Sequence, residues 1–210
     1  MSVITINARI SRTFFDYSPT LRFDFGKKVR KLSVEDFIEL CQNNPNTRIE
    51  MDKNGDIEIM PPTFSETGNK NFDLLVNFGI WTKKDGTGKG FDSSTGFILP
   101  NGAIRSPDLS WIKLEKWNAL TEKQREKFAH ICPDFVVELR SESDSLKKLQ
   151  AKMNEYIENG ASLGWLIDVK NKKVHIYRPN TEIEVLNNPN EISGEPTLQG
   201  FTLNLKEIWG

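Results

Sequence analysis

Apolar positions along the chain switch between a helical period and strand alternation, and the switches mark out the elements. Ser33-Val34-Glu35-Asp36 opens a helix, with Ser33 as cap, an acid three residues on, and Phe37, Ile38 and Leu40 on one face. Asn43 to Asn46 stop it, with Pro45 as breaker. Alternation then predicts strands at Arg48 to Met51 and Asp56 to Met60, joined by the hairpin turn Lys53-Asn54-Gly55. After Pro61-Pro62 a second helix is expected from near Ser65 to Thr82, with Phe72, Leu75, Val76, Phe78 and Gly79 as its core face. Asp85 to Gly90 reads as a flexible turn.

Phe91 to Leu99 and Ala103 to Ile112 read as strands around Pro100-Asn101-Gly102. Leu114 to Lys127 is charged and helical in pieces, with Trp117 and Phe128 as anchors. In Pro133-Asp134-Phe135-Val136-Val137-Glu138, the aromatic and β-branched run fits a central strand. Ser143-Asp144-Ser145 caps a helix that stops at Asn159-Gly160. Trp165 to Val169 and Lys173 to Arg178 form a hairpin around Asn171, and Glu182 to Leu186 and Phe201 to Leu205 add edge strands. Residues 1 to about 30 are aromatic-rich without a sustained period, and read as an arm that packs on the domain or on a second subunit. Residues 31–210 read as one mixed α/β (α+β) domain, with a largely antiparallel sheet and a β-α-β stretch near its centre.

One position in that central strand departs from the apolar pattern. Glu138 follows Val137 directly, and an acid there carries a desolvation cost unless a cation meets it. Ser106-Pro107-Asp108 before Leu109 to Ile112 repeats the arrangement of proline, acid and strand. On a wheel at ~100° per residue, Leu146, Leu149, Met153, Tyr156 and Ile157 share the buried side of the following helix, with Lys152 on its flank. Glu138 and Arg140 point to the same face of their strand. Two acids from adjacent strands beside a cation suit metal-assisted phosphodiester cleavage, with carboxylates holding Mg²⁺ and the cation steadying the attacking water. Arginine can supply the charge but stays protonated, so it cannot act as a base. Taken alone, Lys152 also reads as a lysine snorkelling at the surface, and Asp108 and Glu138 as separate strand-end acids.

Composition narrows the classes. The chain has 210 residues and a formal net charge of −1, which disfavours a passive nucleic-acid coat. Cys41 and Cys132 form no CxxC pair, as expected of a reducing compartment. No signal peptide and no run of ~20 apolar residues is apparent, so the expected location is cytoplasmic, with no membrane partner. Gly160 to Gly164 fits GxSxG but follows a helix instead of a strand, and Gly86 to Gly90 lacks the order of a phosphate loop. His130 and His175 have no partners at zinc spacing.

Several of these segments, taken in order, resemble one family. They are Arg48-Ile49-Glu50, Phe91 to Phe97, Ser106-Pro107-Asp108, Pro133 to Ser141 and Gly164-Trp165-Leu166-Ile167-Asp168. The set is similar to the Uma-type restriction-endonuclease-like family, abundant in cyanobacteria, within the PD-(D/E)xK nuclease superfamily. The resemblance covers about residues 30 to 209. It implies a restriction-endonuclease-like core with flanking helices and hairpins, a divalent metal (Mg²⁺, with Mn²⁺ as an alternative), DNA as substrate and a homodimer.

Carried over by position, the resemblance makes Asp108 and Glu138 the paired acids and Glu50 an outer acid that approaches the metal. Arg140 stands where the superfamily pattern has its lysine, and Lys152 matches the family lysine on the following helix. The resulting reading is a Mg²⁺-dependent DNA endonuclease. Its alternatives are a catalytically inactive nuclease-fold module that binds nucleic acid or protein, and a structural oligomer.

Overall fold

The computed structural model describes residues 21–23 and 32–210. The expected N-terminal arm lies outside these, apart from the backbone of strand β1 (Leu21–Phe23). Helix α1 (Val34–Asn43) starts as its sequence predicts: the Ser33 hydroxyl accepts from the Asp36 N–H at 3.1 Å and Asp36 accepts from the Ser33 N–H at 2.9 Å. Strands β2 (Arg48–Met51) and β3 (Ile57–Met60) form the expected hairpin, closed by Asp52 Oδ1 accepting from the Asn54 and Asp56 amides. Helix α2 (Ser65–Asp85) ends at Gly86, whose φ of 71° is the left-handed conformation glycine adopts freely.

Next come β4 (Gly88–Asp92), β5 (Phe97–Ile98), β6 (Ile104–Arg105) and β7 (Leu109–Lys113), with Ser106-Pro107-Asp108 breaking what reads in sequence as one strand. Short helices α3 (Leu114–Asn118) and α4 (Glu122–Arg125) lead to β8 (Ala129–His130). The β-α-β unit follows as β9 (Phe135–Arg140), α5 (Leu146–Glu158) and β10 (Leu163–Asp168), its strands parallel. Strands β11 (Lys173–Tyr177), β12 (Glu184–Asn187), β13 (Glu191–Ser193) and β14 (Thr202–Asn204) and helix α6 (Lys206–Trp209) complete the chain.

Among the described residues the strands form two six-stranded sheets and one two-stranded sheet. The sheet that carries the β-α-β unit runs β12-β11-β10-β9-β7-β4, so β9 is an inner strand covered on both faces. Phe135, Val137 and Leu139 point into one core with Leu74, Phe78, Trp165 and Phe201. Val136 points the other way, into a core with Met153, Tyr156 and Leu166 beneath α5. Alternation therefore turns Glu138 toward α5.

Two further local expectations need correction. Helix α2 buries Leu74 and Phe78, whereas Phe72 is 64% and Val76 41% exposed. Ring contacts of Phe78 with Phe135 and Phe201, and of Trp81 with Trp111, set the rotation of the helix and leave Phe72, Val76 and Ile80 outside. The segment expected as a flexible turn up to Gly90 instead enters β4, which pairs with β7 from Gly88 onward. A Cβ at Gly88 would overlap the Trp111 indole, so this glycine provides space for a ring as well as for a turn. Among the described residues no helix is long and apolar enough to cross a membrane, and Cys41 and Cys132 are both free thiols.

Candidate active site at the end of strand β9

Strands β7 and β9 pair antiparallel with Leu109 opposite Val137, so one further step of the register sets Asp108 against Glu138. Asp108 lies just outside the regular ladder, and its Oδ2 accepts from the Leu139 N–H at 2.9 Å. The break before β7 is held by Arg48, whose Nη2 donates to the Ser106 carbonyl at 3.0 Å and stands 3.6 Å from Asp108 Oδ1. Glu138 is 5% exposed. Continued by one residue, the register puts Asp108 and Glu138 in facing positions at the same end of adjacent strands.

Helix α5 delivers the cation. Its apolar side packs Met153 and Tyr156 against the sheet, which brings flanking Lys152 over the carboxylates. The Lys152 ammonium is 2.8 Å from Glu138 Oε1 and 2.9 Å from Glu50 Oε1. Glu50, from the β2–β3 hairpin, also accepts from the Ser106 N–H at 2.9 Å and from Arg105 Nη1 at 3.2 Å. Arg105 Nε in turn donates to Glu155 Oε2 at 2.7 Å, tying α5 to β6. Tyr156 donates its hydroxyl to Glu138 Oε1 at 3.1 Å.

Burial and charge divide these carboxylates. Burial pushes the Glu138 carboxyl up to about 7; Lys152 opposes the shift, and the negative charges of Asp108 and Glu50 reinforce it. Burial also raises Asp108, against the Arg48 guanidinium and the Leu139 N–H. For Glu50 burial works upward too, but Lys152, Arg105 and the Ser106 amide outweigh it and hold the carboxyl below its ordinary value. Burial works to lower Lys152, yet Glu138 and Glu50 prevail and hold it above its ordinary value, so it remains an ammonium.

Arg140 is placed differently. Its Nη1 donates to Asp168 Oδ2 at 2.8 Å and its Nε to the Asp144 carbonyl at 3.1 Å, so it ties β9 to β10 and to the loop before α5. That loop is folded on itself by Asp144, whose Oδ2 accepts from the Ser141 hydroxyl at 2.6 Å and the Ser141 N–H at 2.8 Å. Sequence reasoning missed Arg48, Arg105, Glu155 and the polar role of Tyr156. The helical spacing of Lys152, Glu155 and Tyr156, at i, i+3 and i+4, is the signal that groups three of the site's side chains on one side of α5.

Asp108, Glu138, Glu50 and Lys152 line a cleft of about 960 Å³ between the β2–β3 hairpin and α5, with Phe64 among its other lining residues. The cleft offers two acids with raised affinity for protons beside a fixed ammonium. Such a set can bind a hard cation or direct a water at a phosphate. Among the described residues no three His, Cys, Asp or Glu side chains are gathered as a metal cage.

The mixed sheet with its parallel β9–α5–β10 unit, which carries an acid near the end of the central strand and a lysine on the crossover helix, is a restriction-endonuclease-like fold. The chain belongs to the family described as "Uma2: Putative restriction endonuclease", whose model matches residues 34–206. It is similar in fold to a solved structure from Anabaena variabilis described as a putative nuclease belonging to DUF820. The TM-score is 0.70 at 20% identity, over 85% of this chain and 97% of that one. No curated protein matches the chain.

Proposed function

We propose that the chain is a divalent-metal-dependent DNA endonuclease that hydrolyses phosphodiester bonds, with Asp108 and Glu138 as the metal ligands and Lys152 as the catalytic cation. The observation that carries this reading is the Lys152 ammonium held 2.8 Å from Glu138, on the strand that faces Asp108. The donor set fits Mg²⁺ or Mn²⁺. Both acids are hard oxygen ligands; burial raises the pKa of each, and the nearby cations Lys152 and Arg48 offset that rise only in part. When bound, a divalent cation there would polarise the phosphate and lower the pKa of a coordinated water.

The side chains supply the rest. Lys152 has three N–H donors; two are directed at Glu138 and Glu50, which leaves one for the attacking water or the developing charge. Glu50 is assigned to holding Lys152 and not to the metal, because donors already occupy both of its oxygens. Arg140 is assigned to the scaffold. Residues 31–210 act as one unit, and a reducing location such as the cytoplasm suits the two free thiols.

The expected homodimer is placed on the outer face of α2. Phe72, Val76 and Ile80 form an exposed apolar stripe on a helix with Glu66 in its first turn and Lys83 and Lys84 in its last. Antiparallel pairing of two copies about Val76 sets Phe72 against the partner's Ile80 and the acidic end against the basic end.

The test is plasmid nicking with Mg²⁺ or Mn²⁺, comparing wild type with Asp108→Asn and Glu138→Gln. Metal-dependent nicking by wild type alone supports the reading. Wild-type protein that neither binds metal nor cleaves would sink it. Salt-sensitive DNA binding that is indifferent to metal and to Asp108→Asn would favour a non-catalytic binding module.

A further inference from the structure

We propose that Tyr156 is a positioning residue whose hydroxyl fixes which oxygen of Glu138 is available to a cation. This inference rests on Glu138 being a metal ligand, as assigned above. Tyr156 is fully buried, packed among Val136, Met153 and Leu166, and its hydroxyl donates to Glu138 Oε1 at 3.1 Å. Lys152, one helical turn earlier on α5, reaches the same oxygen at 2.8 Å. Two donors from one helix therefore converge on Oε1, while Oε2 accepts no hydrogen bond among the described residues. The ammonium also lies 5.9 Å from the centroid of the Tyr156 ring, so the ring and hydroxyl together border both partners.

A phenol is not needed to fill this space, since phenylalanine has the same ring. What the hydroxyl adds is a neutral donor at the bottom of an acidic site. A phenol keeps its proton at neutral pH, and the Tyr156 hydroxyl directs it at Glu138 Oε1. Without it, Glu138 is restrained at Oε1 by Lys152 alone. The carboxylate is then free to rotate, and Lys152 can follow either oxygen. Outer partners that orient a ligand in this way typically account for ~10–100-fold in metal affinity.

Tyr177 supplies an internal control. It is buried in the same cluster, but its hydroxyl has no partner among the described residues. The experiment is calorimetric titration of Mn²⁺ into the full chain as wild type, Tyr156→Phe and Tyr177→Phe, with thermal unfolding of each to confirm folding. The expected result is Mn²⁺ affinity at least ~10-fold weaker for Tyr156→Phe and unchanged for Tyr177→Phe. Equal affinity of wild type and Tyr156→Phe would overturn the positioning role while leaving the metal site intact. Equal losses in both variants would also overturn it, by showing a general effect of core hydroxyls. Absence of Mn²⁺ binding by wild type would instead refute the metal assignment on which the role depends.

Discussion

The Lys152 ammonium stands 2.8 Å from Oε1 of Glu138, closing the β9–α5–β10 unit on itself through charge. The strand carries the acid out of an apolar core, and the helix that crosses over that strand returns with its cation. Lys152 also reaches Glu50 at 2.9 Å, so the same contact fastens the β2–β3 hairpin to the central sheet. Scaffold and proposed chemistry share one ammonium.

Replacing that ammonium tests both roles. Lys152→Met leaves Glu138 and Glu50 buried without their principal cation, and loss of one partner from a buried pair costs about 3–5 kcal/mol. Urea unfolding at neutral pH should show a loss near the lower end, because Arg105 still serves Glu50. Nicking should disappear while Mn²⁺ binding at Asp108 and Glu138 persists. A variant with wild-type cleavage would remove Lys152 from the mechanism.

Arg140 should behave differently. Arg140→Met leaves Asp168, which is fully buried, with Asn171 as its remaining partner, and about 3 kcal/mol of stability is expected to be lost. Mn²⁺ affinity, measured well below the melting temperature, should match wild type because Arg140 contacts neither acid. A selective loss of metal binding would return Arg140 to the site.

How much of this is legible in sequence depends on how local the determining physics is. The α1 cap, the Asn54-Gly55 hairpin and the β-α-β unit are set by neighbours within a few residues, and all are present. The position of Lys152 on the flank of α5 is legible because a helix wheel fixes its angle relative to Met153 and Tyr156. The rotation of α2 is not legible locally, because Phe72 and Phe78 are equally apolar and only distant rings, Phe135 and Phe201, select Phe78. Arg105 and Glu155 join Glu50 across three separate elements, and no local spacing brings them together. The Tyr156 hydroxyl was hidden by its ring, which satisfies the apolar pattern by itself.

The edge of the central sheet offers a test unrelated to the site. Gly88→Ala places a methyl group against the Trp111 indole, which is 2% exposed and already touches Trp81. Overpacking of this kind costs about 1–3 kcal/mol. Guanidinium unfolding monitored by tryptophan fluorescence should show a lower midpoint, and wild-type stability would mean the indole can move aside.

The α2 stripe predicts an oligomeric state. Ile80→Glu places a charge at a position 68% exposed in the single chain but apposed to the partner's Phe72 in the proposed pair. Light scattering should report a dimer for wild type and a monomer for the variant, with unchanged thermal stability of the monomer. A wild-type monomer at high concentration would remove the proposed interface.

The last prediction concerns pH. Burial lifts Glu138 from an ordinary value of 4.5 to about 7, and Asp108 is raised in the same direction. A raised carboxyl holds its proton more tightly in the folded state than in the unfolded state. Its contribution is complete below the unfolded pKa and is lost as pH rises toward the folded one. Glu50 has the opposite sign: its lowered pKa gives stability above 4.5 that is lost as pH falls below it. Metal-free protein should therefore lose thermal stability between about pH 5 and pH 7, and Glu138→Gln should flatten that slope. Mn²⁺ needs the deprotonated carboxylates, so it should raise the melting temperature more at about pH 8 than at about pH 5. Thermal unfolding across this range, with and without Mn²⁺, measures both effects. A Mn²⁺ increment independent of pH would show that the cation binds somewhere other than Glu138.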